Sequence, residues 1–337
     1  MISTRSARPE QRYQVLRARC SAPGKLMLFG EYAVLEGQPA LAMCLDRRIA
    51  CQASLEPGSS TLRVEAPGVF AAPIELPAEA LADEQPPRPE LRLLWPLLQR
   101  HGVVGEGLSL CFEAGFPPTW GLGSSSASSL AAAAALRRLR GLTAEPAALF
   151  DEVRAAQRAL QGAASGYDVA TQILGGYVRF SDDGAPSMER VLPPLGSSFD
   201  WLVAWTGRKA DTGDMIRKVS ARHKRGAALY GEIGALTLAG LDALRAGDAA
   251  ALGEALSEGQ GLLERLGAAP PEIAELVHRL QGSPSVLGAR LSGAGGGDCV
   301  LILAADRQAA IRSCDEQGLT VLPLAPEETG LMDEELQ

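Results

Sequence analysis

The chain has 337 residues, which at roughly 100–200 residues per domain allows one large or two medium domains. Hydrophobic residues make up 46% and charged residues 21%, a globular mix that excludes wholesale disorder. With 32 Lys and Arg against 40 Asp and Glu the net charge is -8, which excludes the basic footprint of a general nucleic-acid binder but leaves room for a locally positive pocket around an anionic substrate.

In chain order, residues 1–15 read as a tail; the first nineteen residues carry five arginines but no apolar block, so a secretory signal is excluded and an Arg-rich transit segment is the alternative to a plain tail. Alternation predicts strands over Val15–Ala22, Leu41–Ala53 and Thr61–Val64. Residues 65–90 are Pro-rich and acidic and predict an irregular connection. Helical spacing resumes over Leu91–His101, with Pro96 near its start, and Leu108–Glu113 alternates as a strand. Ser124–Arg140 is the clearest helix, closed by Gly141; Phe150–Leu160 is another, and Gly176–Ser181 a short strand. Residues 193–198 predict the hinge between two halves. Beyond it come a strand at Trp201–Trp205, helix through most of 213–265 with breaks near Gly226 and Gly247, and a capped helix at Pro271–Gln281. Strands Gly288–Ser292 and Asp298–Ala304 then flank a glycine loop, and a helix over Gln308–Gln317 follows. The class is α+β.

Six cysteines (Cys20, Cys44, Cys51, Cys111, Cys299 and Cys314) include no CxxC pair and predict reduced, mostly buried thiols. His101, His223 and His278 form no metal-ligand spacing, so a zinc site is not expected. No stretch reaches the ~18 apolar residues of a membrane helix.

Three glycine segments carry the chemistry. The middle one, Pro117-Pro118-Thr119-Trp120-Gly121-Leu122-Gly123-Ser124-Ser125-Ser126-Ala127, lies between a strand and a long helix. Its glycines allow close backbone approach, and free N–H groups at a helix N-terminus bind phosphate; a Ser-rich N-cap on a core helix is the alternative. It lacks the Lys-Ser/Thr of a Walker loop, the third glycine of a dinucleotide fingerprint and the GxSxG of a nucleophile elbow. The first segment runs Ser21-Ala22-Pro23-Gly24-Lys25-Leu26-Met27-Leu28-Phe29-Gly30-Glu31-Tyr32-Ala33-Val34. Lys25 stands in an otherwise apolar run and needs either an anionic partner or a solvated turn. The last, Leu291-Ser292-Gly293-Ala294-Gly295-Gly296-Gly297-Asp298-Cys299, demands a tight path against a ligand or another backbone, or is an ordinary glycine hairpin.

These three segments, in this order, resemble the GHMP kinase superfamily over most of the chain, from about Arg17 to Ala304. The resemblance implies an α+β, two-domain GHMP kinase fold: a ribosomal protein S5-like N-terminal ATP-binding domain (1–192) and a ferredoxin-like C-terminal domain (193–337), with ATP in the cleft. Gly30-Glu31-Tyr32-Ala33-Val34, Ala164-Ser165-Gly166-Tyr167-Asp168-Val169-Ala170, Ala204-Trp205-Thr206-Gly207 and Gly295-Gly296-Gly297-Asp298-Cys299 look most like the phosphomevalonate kinase branch. The implied reaction is ATP-dependent phosphorylation of phosphomevalonate on the way to isoprenoid precursors; mevalonate kinase or another small-molecule kinase of the fold is the alternative.

By the same resemblance Asp168 is the catalytic aspartate and Lys25 neutralises the moving phosphoryl group close beside it. Pro118, Gly121, Leu122, Gly123, Ser124, Ser125, Ser126 and Ala127 hold ATP, and Mg²⁺ sits on Ser125. Mevalonate kinases add a glutamate to that ion; this chain has Gln157 at the corresponding place, so either water and phosphates complete the shell or Glu152 helps. The acceptor side is assigned Lys25, Glu31, Tyr32, Ser165, Gly166, Tyr167, Arg208, Lys209, Thr212, Gly295 and Gly296, with Arg179 and Arg217 as further cations for an anionic acceptor. Arg208-Lys209 is equally readable as a solvated loop pair, and Asp298 as a turn cap or a catalytic group. A cytoplasmic monomer or homodimer is expected, with a small-molecule substrate and neither nucleic acid nor membrane as partner.

Overall fold

The computed structural model describes residues 16–161, 164–210, 212–224 and 228–334. The tail expected over 1–15 and the helix break expected at Gly226 lie outside the described residues.

Two long strands form the spine of the first sheet. β1 (Leu16–Phe29) and β2 (Ala40–Glu56) pair antiparallel from Leu16↔Leu55 to Phe29↔Leu41. β1 therefore runs seven residues past the end predicted at Ala22. The Pro-Gly pair does not stop it because the ladder shifts register between Pro23 and Gly24, a bulge that accommodates a residue without an N–H. β3 (Thr61–Glu65), β4 (Ile74–Pro77) and β5 (Gly107–Ala114) extend the sheet in the order β1-β2-β5-β3-β4. β4 falls inside the segment read as irregular; it alternates, but over only four residues ending in Pro77, too few to stand out from the Pro-rich stretch around it.

α1 (Trp95–His101) carries Pro96 in its first turn, where a missing N–H costs least. α2 (Ser124–Leu139) packs on β1 and β2, and Leu130 through Leu136 are fully buried. Its alanine run keeps the helix close to the sheet. α3 (Pro146–Gln161), α4 (Tyr167–Leu174), β6 (Tyr177–Asp182) and β7 (Pro186–Val191) follow, with β6 pairing β2 and β7 pairing β6. Neither α4 nor β7 was expected: α4 has only eight residues, and β7 is exposed along most of its length.

The second sheet is antiparallel. β8 (Trp201–Trp205), β9 (Val286–Leu291), β10 (Cys299–Ala304) and β11 (Thr320–Val321) take the order β11-β8-β10-β9. α5 (Thr212–Arg222), α6 (Ala228–Ala246), α7 (Ala249–Leu266), α8 (Pro271–Gln281) and α9 (Arg307–Glu316) complete this half. α7 lies so close to β9 that a Cβ on Gly288 would stand 2.0 Å from the Gly253 carbonyl oxygen. The chain then returns, and β12 (Met332–Glu334) pairs with β1. This is the α+β fold implied by the resemblance. Among the described residues no helix is long and apolar enough to cross a membrane.

All six cysteines are free, and all but Cys111 are buried. Burial pushes the thiols of Cys20 and Cys314 up to about 11 and that of Cys44 up to about 12. A thiol that is both buried and protonated is a poor nucleophile. Titration of the native protein with a thiol-reactive dye at pH 8 is therefore expected to label at most Cys111 within minutes, and the other five only after denaturation. Prompt release of several equivalents from native protein would contradict this burial.

Candidate active site

The bulge after Pro23 sets Lys25 against the middle glycine segment, where its backbone N–H donates to the Leu122 carbonyl at 2.9 Å. Pro118–Trp120 make one 3₁₀ turn, then Gly121 (φ 72) and Gly123 (φ 73) take left-handed conformations before α2 begins. Glycine is required twice over: a Cβ on Gly123 would lie 2.7 Å from Lys25 Cε, and one on Gly121 2.7 Å from the Asp298 carboxyl. The alternative of a Ser-rich N-cap is not what the structure shows. The N-cap is Gly123, with no side-chain cap, and Ser124–Ser126 lie within the first turn. Ser126 Oγ donates to the Gly123 carbonyl at 2.9 Å.

α4 begins at a left-handed Gly166 and carries Asp168 in its first turn. From α3, the Gln157 amide donates to Asp168 Oδ2 at 3.1 Å. Gln157 Oε1 is buried without a hydrogen-bond partner. The Lys25 ammonium donates to the Tyr167 hydroxyl at 3.0 Å and lies 5.2 Å from that ring's centre. Lys25 is only 7% exposed. Burial alone would lower its pKa, but Tyr167, Asp168 and Asp298 outweigh that and hold the ammonium above its ordinary value. It is not a solvated turn lysine.

The first and third glycine segments meet across the two sheets. Ser292 Oγ donates to the Met27 carbonyl at 2.8 Å, and the Tyr32 hydroxyl to the Ala294 carbonyl at 2.5 Å. The buried Arg290 guanidinium donates to the Leu28 carbonyl at 2.7 Å and to Glu31 Oε2 at 2.6 Å. Among the described residues two non-glycine residues hold positive φ, Tyr32 at 63° and Asp298 at 59°, and both face the same space. Backbone strain of this kind gathers at functional sites.

That space is a cavity of about 270 Å³. Its walls include Lys25, Glu31, Tyr32, Pro118, Gly121, Gly123, Ser124, Ser125, Ser126, Ser165, Tyr167, Asp168 and Lys209, all expected from sequence. Leu122, Ala127, Gly166, Arg208, Gly295 and Gly296 do not line it. Leu122 and Ala127 are buried beneath the loop, and Gly295 and Gly296 back onto Ala268 and Met215. Arg208 is exposed and paired with Glu272. The Thr212 side chain lies outside the described residues. Arg179 and Arg217 are paired with Glu189 and Asp214 and are not in the wall. Glu152 is occupied by His101 at 2.5 Å and Arg137 at 3.2 Å, away from the cavity, so it does not stand in for the missing glutamate. Sequence reasoning missed Arg290 and a second, apolar cavity of about 180 Å³. Phe70, Leu94, Phe112 and Phe116 line it, and it shares Pro118, Ser124 and Ser125 with the first. Its residues come from five separate stretches, and no one of them carries a motif.

Two family models match the chain: GHMP kinases N terminal domain over residues 91–176 and GHMP kinases C terminal over 241–317. The mevalonate kinase of Aeropyrum pernix is 31% identical over 291 residues, covering 84% of this chain and 87% of that protein. Among solved structures, Methanococcus jannaschii mevalonate kinase superposes with a TM-score of 0.76 at 17% identity, covering 94% of this chain and 99% of the other. Streptococcus pneumoniae phosphomevalonate kinase, in complex with phosphomevalonate and AMPPNP, superposes with a TM-score of 0.73 at 21% identity, covering 91% and 99%. With a relative 31% identical over most of both chains, and with the N- and C-terminal family models each matching a segment, the chain is a kinase of the GHMP superfamily, in its mevalonate-kinase-like family.

Proposed function

We propose that this kinase transfers the γ-phosphoryl group of ATP to phosphomevalonate, giving diphosphomevalonate and ADP. One observation carries the reading: Lys25, Asp168 and the uncapped N-terminus of α2 converge on one cavity. The α2 N–H groups and Ser124–Ser126 take the nucleotide phosphates, and the adjoining apolar cavity takes the base. Lys25 lies where charge builds on the moving phosphoryl group. Asp168 orients the attacking oxygen and takes up the proton of whatever fraction of the acceptor still carries one.

Magnesium fits the residues present. Gln157 Oε1 is a buried oxygen without a partner, and it shares the cavity wall with Asp168 and Ser125, all hard oxygen donors. These residues would hold the ion, which when bound neutralises phosphate charge.

For the acceptor, two lysines, Lys25 and Lys209, line the cavity, while Gln157 beside Asp168 adds no charge. An acceptor phosphate needs cations and, being ionised near neutrality, little help from a base. Mevalonate as acceptor is the second reading, favoured by the 31% identity to the Aeropyrum pernix enzyme. An ADP-release assay with each acceptor separates them. Higher kcat/KM on phosphomevalonate is the expected result; higher kcat/KM on mevalonate establishes the second reading instead.

The base site has its own test. Ser128→Phe puts a ring into the apolar cavity that Ser128 lines. Its expected effect is an ATP KM raised about tenfold or more with the acceptor KM nearly constant, the mark of lost nucleotide binding alone. An unchanged ATP KM would place the base elsewhere.

A further inference from the structure

Asp298 is one of the two strained residues of the cavity, and its hydrogen bonds all run to one segment. Its backbone N–H donates to the Arg208 carbonyl at 2.7 Å. Its Oδ1 accepts from the Ala210 N–H at 3.0 Å. Its carbonyl accepts from the Thr206 N–H at 2.9 Å and from Thr206 Oγ1 at 2.9 Å. These bonds continue the β8–β10 ladder, whose last pair is Cys299↔Trp205, for one more residue beyond the strands. Gly297 brings the two backbones close enough that a Cβ there would stand 2.5 Å from the Arg208 carbonyl oxygen.

The residue enclosed is Lys209. Asp298 bonds the residue before it and the residue after it, and Lys209 itself reaches the cavity wall from an exposed position. A long, exposed lysine has many rotamers, so where its ammonium spends its time is set largely by where its backbone is held. The left-handed conformation of Asp298 aims the carboxylate back at the Ala210 N–H, and among ordinary residues Asp and Asn tolerate that conformation best.

We propose that Asp298 is a positioning residue: it clamps the backbone on both sides of Lys209 and so presents that ammonium to the anionic acceptor. This rests on the cavity being the acceptor site, and the test is built to separate the two ideas. Asp298 belongs with the positioning groups because its Oδ1 is engaged by the Ala210 N–H and its other oxygen packs against Gly121, its charge reaching Lys25 only as one of three supporting partners.

The experiment compares Asp298→Asn, Asp298→Ala, Asp298→Gly, Lys209→Ala and Asp298→Ala/Lys209→Ala. Asn retains the acceptor oxygen and the tolerance of positive φ, so its acceptor KM should rise less than about threefold. Ala and Gly lose the bond; Gly also relieves the strain, so it serves if the Ala variant folds poorly. Both, like Lys209→Ala, should raise the acceptor KM about tenfold, with ATP KM within about twofold. The double variant should be no worse than either single one, because the clamp acts only through the lysine. Hydrogen exchange on the free enzyme adds a reading that needs no acceptor: amide protection across 206–210 should fall in the Ala and Gly variants and persist in Asn. Unchanged exchange, fully additive KM effects, or a collapse of kcat in Asp298→Asn would each overturn the proposal. Exchange that changes as expected, in a protein that turns over neither acceptor, would keep the clamp and reject the function proposed above.

Discussion

Asp168→Asn is expected to lower turnover by more than about 10²-fold while the ATP KM stays within about threefold. Asp168 shares the cavity wall with the buried Lys25 ammonium and accepts a hydrogen bond from the Gln157 amide on Oδ2. Asparagine has nearly the same shape, so α4 and the cavity should persist. What changes is chemical: the amide cannot take up a proton, and it offers one acceptor where the carboxylate offers two. In one orientation it turns its NH₂ toward the Gln157 amide, two donors facing each other. Lys25 meanwhile loses one of the partners that keep its ammonium charged despite burial. The loss should appear in kcat rather than in nucleotide binding, because the α2 N-terminus and the apolar cavity are untouched. Steady-state kinetics and a melting curve on the same preparation check this, and near-normal turnover in a folded variant would remove Asp168 from the reaction.

The features legible in the sequence are those whose pattern is local. The long helix after the middle glycine segment was readable because alanine and leucine run unbroken to a glycine stop. The glycines at 121 and 123 were readable because their left-handed turns sit next to one another in the chain. Less was visible where the cause is distant. β1 passes through Pro23-Gly24 because β2 shifts register to meet it, a property of the partner strand. β7 and β12 are edge strands that bury little, so they leave no apolar alternation. In the site, Lys25 and Asp168 were found through their motifs, but the cations at 179, 208 and 217 were not separable from Lys209 by sequence. All four are basic residues in plausible segments, and only the fold shows that Glu189, Glu272 and Asp214 engage three of them. Arg290 went unread because an arginine inside an apolar strand looks like an exposed edge until its buried partner, about 260 residues earlier in the chain, is placed beside it.

That arginine is where the largest effect on stability is expected. Arg290 and Glu31 are 2% and 3% exposed, and their side chains meet at 2.6 Å. Arg290 also donates to the Leu28 carbonyl and to the Leu291 carbonyl, and its guanidinium lies 5.4 Å from the Phe29 ring centre. Glu31 Oε1 in turn accepts from the Gly293 N–H at 3.4 Å. Removing one member of such a buried pair leaves the other charged and uncompensated, which costs about 3–5 kcal/mol, whereas replacing both by groups of similar volume is often near neutral. Arg290→Met should therefore shift the urea midpoint strongly downward, and Glu31→Gln/Arg290→Met should recover part of the shift despite carrying one more substitution. If the double variant were instead less stable than Arg290→Met, the energy would lie in the bonds from Arg290 to the strand carbonyls rather than in the ion pair. The same pair joins the end of β1 to the end of β9, the strands that lead into the first and third glycine segments. Activity in Arg290→Met should therefore fade at lower urea concentration than the bulk unfolding signal, since the cavity needs those segments held together before the sheets themselves come apart.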